Sequence, residues 1–290
     1  MKMHHVVAAA VFLAAFAAQA EFIVKSGDVL AFLGDSITQQ GQGLPVGYVN
    51  LVLHSLTKEG VDVKPVKAGI SGHKSDNMLG RLDRDVLGKG AKVMTLSCGV
   101  NDVWHQDGGR GVLLDAFKTN VTAILDKCAA SNCTVVVMTA SMFQYHGWEK
   151  DPHNVKLAPY NDFLREIAAA RKLPLADVNK AMWEAYAADP EGRLTADGVH
   201  MNWSGNFLMA KCVLAALGAD AAKLAAYERD WRAIIGGSEL KIPLSIDEMD
   251  KLKAAAGQMG ESSQVADFVR VRCGLTDGRG SPAPMPEPVK

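Results

Sequence analysis

The sequence predicts an α/β domain in which helices cover both faces of a parallel sheet. Five short apolar runs alternate along the chain with longer segments that have the apolar spacing of helices. The runs are apolar at nearly every position, as in strands that are buried on both faces. Such alternation indicates an open sheet whose strands are joined by right-handed crossovers.

The five apolar runs are the predicted strands of this sheet. Each is followed by a polar or glycine-containing segment, which is typical of a strand that ends at a functional edge. In chain order the strands are predicted at residues 29–33, 61–66, 93–97, 134–138 and 175–178.

Four segments have the apolar spacing or the end signals of helices. They are residues 48–57, 112–128, 159–171 and a segment that Ser204 would cap and that ends before Gly218. In the second of these, one apolar stripe would consist of Leu113, Phe117, Val121, Ile124 and Cys128.

The sequence beyond Gly218 contains no further strand pattern. Leu224, Tyr227, Trp231 and Ile234 have helical spacing, a capping-box pattern follows at residues 245–248, and a last helix is predicted at 263–271. We therefore expect one α/β domain over residues 21–218 and a helical extension packed on its core over 219–275. The proline-rich end predicts a disordered tail at 276–290.

The N-terminus has the pattern of a secretory signal peptide. Lys2 and two histidines precede an apolar run at residues 6–18, and Ala18 to Ala20 form a small-x-small cleavage site. A transmembrane anchor is the alternative, but a bilayer span needs about 20 apolar residues. The sequence therefore predicts cleavage after Ala20 and export to the periplasm or the medium.

Composition excludes some classes of partner. Lysine plus arginine number 31 and aspartate plus glutamate 32, so the formal charge of −1 offers no general attraction to nucleic acid or to an anionic membrane. The chain contains five cysteines without the spacing of a zinc site, and no metal or cofactor is expected. Cys128 and Cys133 could bridge a loop or could be buried thiols, and the sequence leaves both open.

Four polar segments are placed where a sheet edge would bring them together. Each alone also fits an ordinary turn or helix cap. Because ligands bind at the carboxyl ends of parallel strands, the four together predict one site with a serine, a histidine and an acid. The segments are 34–38 (GDSIT), 69–73 (GISGH), 99–102 (GVND) and 197–200 (DGVH).

In order and spacing, these segments resemble the motifs of the SGNH or GDSL-type esterase/lipase family, over about residues 28–218. The resemblance implies a flavodoxin-like three-layer α/β/α sandwich with a five-stranded parallel sheet. It implies that Ser36 is the nucleophile, His200 the base and Asp197 the acid that orients it. The oxyanion hole would consist of the Ser36 and Gly72 N–H groups and the Asn101 side chain.

Two positions depart from the family pattern. Lys67 stands where the family often has asparagine, and Met201 where it often has proline. Neither position is catalytic in the family, so activity is expected to persist. Lys67 is expected to change the hydrogen bonds around the loop of Gly72.

Residues that could contact substrate follow the third and fourth predicted strands. Aromatic side chains there could stack on a sugar, line an acyl pocket or simply pack the loop. The histidines do not have a metal-binding spacing. The candidates are His73, Trp104, His105, Tyr145 and Trp148.

Export and the absence of a long apolar lid favour an acylated carbohydrate as the substrate. By analogy with the family, the expected activity is that of a carbohydrate O-acetylesterase. A lysophospholipase or thioesterase of the same family is one alternative, and a catalytically silent carbohydrate-binding protein is another. No nucleic-acid partner and no stable membrane insertion are expected, and the oligomeric state is left open.

Overall fold

The computed structural model describes residues 21–144, 151–190 and 192–236. These residues form a five-stranded parallel sheet in the order β2-β1-β3-β4-β5. The predicted flavodoxin-like class is confirmed, since this strand order places the topological switch point between β1 and β3. The strands are β1 (Val29–Gly34), β2 (Lys64–Gly69), β3 (Val93–Ser97), β4 (Thr134–Met138) and β5 (Leu175–Ala176).

Helices pack on the sheet in two groups. The first comprises α1 (Ser36–Gly43), α2 (Tyr48–Lys58), α7 (Val178–Ala188), α8 (Trp203–Leu217) and α9 (Ala221–Gly236). The second comprises α3 (Ser75–Asp85), α4 (Val100–Trp104), α5 (Leu114–Ala130) and α6 (Pro152–Ala170). Every residue of β3 is buried between the two groups.

The second strand lies three residues later than predicted, at Lys64–Gly69 instead of 61–66. β2 is an edge strand that pairs with β1 alone, so Lys64 and Lys67 face solvent and the strand lacks an apolar run. Val61 instead donates its N–H to the Leu56 carbonyl and belongs to the turn that ends α2. The fifth strand stops at Ala176, before the predicted residue 178, because Asp177 caps α7.

Two helix starts also differ from the prediction. α6 begins at Pro152 and not at 159, because Asp151 caps it and Pro152 occupies the first turn, where its missing N–H costs little. α8 is capped by Asn202, whose side chain accepts from Gly205 N–H, and not by Ser204.

The predicted apolar stripe of α5 was wrong at its first position. Leu113 is the N-cap of the helix and is 69% exposed. The remaining members of the stripe are buried, and they are Phe117, Val121, Ile124 and Cys128.

Helix α9 is the described part of the predicted helical extension. Tyr227 and Trp231 are buried, and the indole N–H of Trp231 donates to Ser55 Oγ on α2 at 3.1 Å. No helix in the described part of the chain has the length and apolar character needed to cross a bilayer. The predicted signal peptide, the rest of the extension and the tail lie outside the described residues.

The four described cysteines are free thiols, and three of them are buried: Cys98, Cys128 and Cys133. The structure therefore contains no bridge between Cys128 and Cys133, and Cys273 lies outside the described residues. Among those described, no group of three or more His, Cys, Asp or Glu side chains is arranged to hold a metal ion.

Candidate active site

Ser36 is presented at the carboxyl end of β1. The strand ends at Gly34, and Ser36 is the first residue of α1. Asp35 is the N-cap between them, and its carboxylate accepts the Ile37 N–H at 2.9 Å. Gly34 allows the sharp turn, because a Cβ there would lie 2.0 Å from Thr38 Oγ1. The hydroxyl group of Ser36 thus lies beside the free N–H groups of a helix N-terminus.

The base and the acid reach Ser36 from a loop far along the chain. His200 Nε2 lies 2.9 Å from Ser36 Oγ, and His200 Nδ1 lies 2.6 Å from Asp197 Oδ2. The other oxygen of Asp197 accepts the backbone N–H groups of Val199 and His200 at 3.0 and 2.8 Å. The carboxylate, imidazole and hydroxyl therefore form one continuous hydrogen-bonded series.

The charge state of Asp197 suits this arrangement. Burial alone would raise the pKa of its carboxyl, but hydrogen bonds from the His200 ring and from two backbone N–H groups outweigh burial and lower it. An ionised carboxylate accepts a hydrogen bond from Nδ1–H, and the lone pair of Nε2 is then directed at the hydroxyl proton.

Asp35 has a different environment from Asp197. It is buried, and burial raises the pKa of its carboxyl to about 7, while the Ile37 N–H opposes the shift and the charge of Asp102 adds to it. Its hydrogen bond closes the turn that holds Ser36, and the structure records no hydrogen bond from it to the imidazole of His200. Asp35 therefore stabilises the turn that presents Ser36.

Gly72 lies in the turn that follows β2, adjacent to β1. Its φ of +75° is one that residues with a Cβ rarely adopt. The turn is tied to α1 by the Ser71 N–H, which donates to Gln39 Oε1 at 2.7 Å. It is tied to α4 by Asn101 Nδ2, which donates to the His73 carbonyl at 3.2 Å.

Asn101 lies on α4, directly after β3. Its side chain is buried, and its amide carries a second N–H besides the one bound to His73. Asp102 fastens the start of α4 by accepting from Gly99 N–H, Ser75 N–H and the Ser75 hydroxyl at 3.1, 3.0 and 2.6 Å. Burial raises the pKa of Asp102, and these hydrogen bonds oppose the shift.

The structure joins Ser36, His200 and Asp197 by hydrogen bonds. It places Gly72 in the turn after β2 and Asn101 on α4 after β3, the strands on either side of β1. Trp104 and His105 follow Asn101 and are partly buried, with ring centroids 6.2 Å apart. The substrate-lining role of Trp104 and His105 stays a prediction. Tyr145 and Trp148 lie outside the described residues.

The two departures from the family pattern fit the local structure. Lys67 Nζ donates to the Gln42 carbonyl at 3.1 Å and to Asn50 Oδ1 at 2.9 Å. The Gln42 side chain in turn bonds the backbone of Gly69, so Lys67 supports the start of the Gly72 loop indirectly. Met201 is buried in a short bridge with Thr195.

Sequence reasoning missed two buried residues that hold this edge together, Arg81 and Gln144. Arg81 Nη2 donates to the Gly34 carbonyl at 2.9 Å and its Nε donates to His73 Nδ1 at 3.0 Å. Burial and the charge of Arg81 lower the pKa of His73, whose neutral ring then carries its proton on Nε2. No short motif marks either residue, because their partners lie far away in the sequence.

The chain belongs to the GDSL-like lipase/acylhydrolase family, since the model of that family matches residues 32–207. It is therefore a carboxylic ester hydrolase of the SGNH type.

Several relatives share this fold. An acetylxylan esterase from Geobacillus stearothermophilus is 25% identical over 213 residues, which cover 67% of this chain and 96% of that protein. The crystal structure of Axe2, an acetylxylan esterase from the same organism, is 25% identical and covers 68% of this chain and 97% of its own, with a TM-score of 0.60. The acetyl xylan esterase AlAXEase is 30% identical and covers 65% of this chain and 99% of its own, with a TM-score of 0.60. Structures of catalytic mutants of the Geobacillus enzyme have alanine in place of a serine, an aspartate or a histidine.

Proposed function

We propose that this protein is an exported serine esterase that removes acetyl groups from an acylated carbohydrate. The hydrogen-bonded series of Asp197, His200 and Ser36 carries the proposal. The family supplies the reaction class, and the relatives named as acetylxylan esterases support the substrate class.

In the acylation step, His200 Nε2 accepts the hydroxyl proton while Ser36 Oγ attacks the ester carbonyl carbon. Asp197 stabilises the imidazolium that forms. The tetrahedral oxyanion would accept from the N–H groups of Ser36 and Gly72 and from the free N–H of Asn101. His200 then protonates the alkoxide of the sugar, the C–O bond breaks, and the acetyl group remains on Ser36.

In the deacylation step, His200 accepts a proton from water, and the hydroxide attacks the acetyl carbonyl. The second tetrahedral intermediate uses the same donors. It collapses with return of the proton to Ser36 Oγ, which releases acetate and restores the free enzyme. Every proton transfer thus passes through a nitrogen that lies within hydrogen-bond distance of the hydroxyl.

The first experiment measures acetate release from acetylated xylan and hydrolysis of nitrophenyl esters of increasing acyl length. We expect Ser36→Ala and His200→Asn to lower kcat by about a thousandfold or more, since each removes a member of the triad. His54→Asn is the matched control, because His54 is an exposed histidine on α2, and it should retain wild-type kcat.

The outcomes separate the candidate functions. Loss of acetyl-ester activity in both active-site variants supports the proposed esterase. A preference for long acyl chains would instead indicate a lipase or thioesterase. A folded wild-type protein that binds acetylated xylooligosaccharides in calorimetry and hydrolyses no ester would indicate a carbohydrate-binding protein.

The role of Asn101 is tested separately. We expect Asn101→Ala to lower kcat by about two orders of magnitude or more, because one oxyanion donor contributes about 3 kcal/mol to transition-state stabilisation. The measurement compares kcat on nitrophenyl acetate, with circular dichroism as the control for folding. A loss under about fivefold in a folded variant would contradict the role assigned to Asn101.

Export is the remaining part of the proposal. Cleavage after Ala20 would keep in the mature chain the buried Phe22 and Val24, and Ile23, whose N–H donates to the Leu217 carbonyl. N-terminal sequencing of protein recovered from the periplasm or medium should begin at Glu21. Recovery of the uncleaved chain from the cytoplasm alone would contradict export.

A further inference from the structure

The acid and the base lie on a small closed hairpin, residues 194–202, which we call the base hairpin. Thr195 and Met201 form an antiparallel bridge across it. Ala196 N–H donates to the His200 carbonyl at 2.8 Å, and Asn202 N–H donates to the Leu194 carbonyl at 3.0 Å. These bonds fix its internal shape, but they do not fix its position against the sheet.

Gln144, in the connection that follows β4, contacts the start and the tip of the base hairpin. Its side-chain Oε1 accepts Leu194 N–H at 3.1 Å and the Thr195 hydroxyl at 2.8 Å. Its backbone N–H donates to the Gly198 carbonyl at 2.8 Å, and Gly198 lies between the acid and the base. One residue therefore holds the start and the tip of the hairpin.

Burial raises the energetic cost of losing the side-chain contacts of Gln144. The Gln144 side chain and Thr195 are both buried, so a donor that loses this oxygen has little access to water. An amide oxygen has two lone pairs, and here both are used. The Asn202 side chain bonds two residues next to the hairpin, Arg193 and Gly205. Gln144 instead lies 50 residues before Leu194 and joins the hairpin to a different part of the fold.

We propose that Gln144 is a positioning residue for the general base. By holding the base hairpin against the β4 edge of the sheet, it keeps His200 Nε2 directed at Ser36 Oγ, a separation of 2.9 Å. The proposal rests on the esterase function proposed above. A displaced base should slow proton transfer and leave substrate binding nearly unchanged, so kcat should fall while KM changes little.

The test compares Gln144→Leu, Thr195→Val and their double variant with Thr139→Val. Thr139 is the matched control for Thr195, since each is 2% exposed and each hydroxyl donates to one side-chain oxygen, at 2.9 and 2.8 Å. The Thr139 hydroxyl donates to Asp177 and also accepts the Asn179 N–H at 2.9 Å, and neither partner belongs to the base hairpin.

We expect Gln144→Leu to lower kcat on nitrophenyl acetate about 10- to 100-fold, with KM changed by less than about twofold. Thr195→Val should lower kcat about fivefold. The double variant should be no slower than Gln144→Leu, because Gln144→Leu already removes the contact between Gln144 and Thr195. Thr139→Val should be destabilised at least as much as Thr195→Val, because it loses two hydrogen bonds, and should keep kcat within about twofold of wild type.

A second readout does not depend on activity. Proton NMR should show a far-downfield resonance from the hydrogen bond between His200 Nδ1 and Asp197. This resonance should broaden or disappear in Gln144→Leu and Thr195→Val and remain in Thr139→Val. If Gln144→Leu does not fold, Thr195→Val decides the question by both readouts.

Two results would overturn the proposal. One is a folded Gln144→Leu protein with wild-type kcat and an unchanged downfield resonance. The other is an equal loss of kcat in Thr139→Val and Thr195→Val. If wild-type protein hydrolyses no ester, the proposed function fails, and the resonance alone still decides whether Gln144 positions His200.

Discussion

At the residue scale, the two aspartates beside the site respond to their surroundings in opposite directions. Asp197 is held ionised by its hydrogen bonds, whereas burial raises the pKa of Asp35 from 3.8 to about 7. Between these two pH values the folded protein binds more protons at Asp35 than the unfolded chain does. The contribution of this group to the free energy of unfolding is therefore greatest below pH 3.8 and is lost as the pH rises to about 7.

Asp35→Asn tests this dependence. An asparagine oxygen can still accept the Ile37 N–H, but the side chain no longer titrates. We expect the stability of the variant relative to wild type to increase between pH 4.5 and pH 8, by roughly 1–4 kcal/mol. Urea unfolding of both proteins at the two pH values measures it. An equal difference at both would show that Asp35 titrates normally.

At the scale of elements, Arg81 joins α3 to both the strand end before Ser36 and the Gly72 loop. Its guanidinium is buried and donates to the Gly34 carbonyl, His73 Nδ1 and Asp85. Asp85 also pairs with Arg84, so removal of Arg81 would not leave an unpaired carboxylate. Substitution of Arg81 would therefore remove mainly its hydrogen bonds to the Gly34 carbonyl and to His73 Nδ1.

We expect Arg81→Met to lower the free energy of unfolding by about 1–3 kcal/mol, because a buried carbonyl and a ring nitrogen lose their donor. It should also lower kcat, since the Gly72 turn loses a support. Arg84→Met is the control, because Arg84 is an exposed neighbour that pairs with the same Asp85. Urea unfolding and kcat on nitrophenyl acetate are measured for both variants. Equal stability and equal kcat in Arg81→Met and Arg84→Met would contradict the role assigned to Arg81.

The elements that the sequence predicted well are those buried on both faces. β3 and β4 were predicted at their observed bounds, because a nearly continuous apolar run is typical of a central parallel strand. β2 was misplaced, since an edge strand with exposed lysines has no such run. The start of α6 depends on a local cap at Asp151 that apolar spacing does not report.

Similar limits apply to the site. Short motifs contain the hydrogen-bonded residues Ser36, Asp197 and His200. The first three motifs follow strands at one edge of the sheet, and the fourth lies in the loop before α8. Arg81 and Gln144 could not be found in this way, as their hydrogen bonds join residues 47 and 50 positions apart. Such supports follow from how loops pack and not from local sequence.

At the scale of the whole molecule, the fold joins residues that are distant in sequence. His200 and Ser36 are 164 positions apart and meet because the loop before α8 returns to the carboxyl edge of β1. The position of His200 therefore depends on how α8 packs against the sheet. Helix α8 contacts α9, whose Trp231 packs on Phe207 of α8 with ring centroids 5.4 Å apart.

Substitutions of Trp231 test how much α9 contributes to the stability of this core. The Trp231 side chain is 0% exposed and also donates to Ser55 on α2. We expect Trp231→Ala to lower the free energy of unfolding by about 3–5 kcal/mol, the usual cost of removing a large buried aromatic ring. Trp231→Phe is the matched control, since it keeps an aromatic ring and loses the N–H bond and part of the buried ring volume, so its cost should lie below that of Trp231→Ala.

Urea unfolding of both variants at one temperature gives the two values. The fraction of Trp231→Ala that remains folded should hydrolyse nitrophenyl acetate with kcat within about twofold of wild type, because no recorded contact joins Trp231 to the triad. A cost below about 1 kcal/mol for the alanine variant would mean that α9 is not part of the core. A large loss of kcat at full folding would instead mean that α9 sets the position of α8 and, through it, of His200.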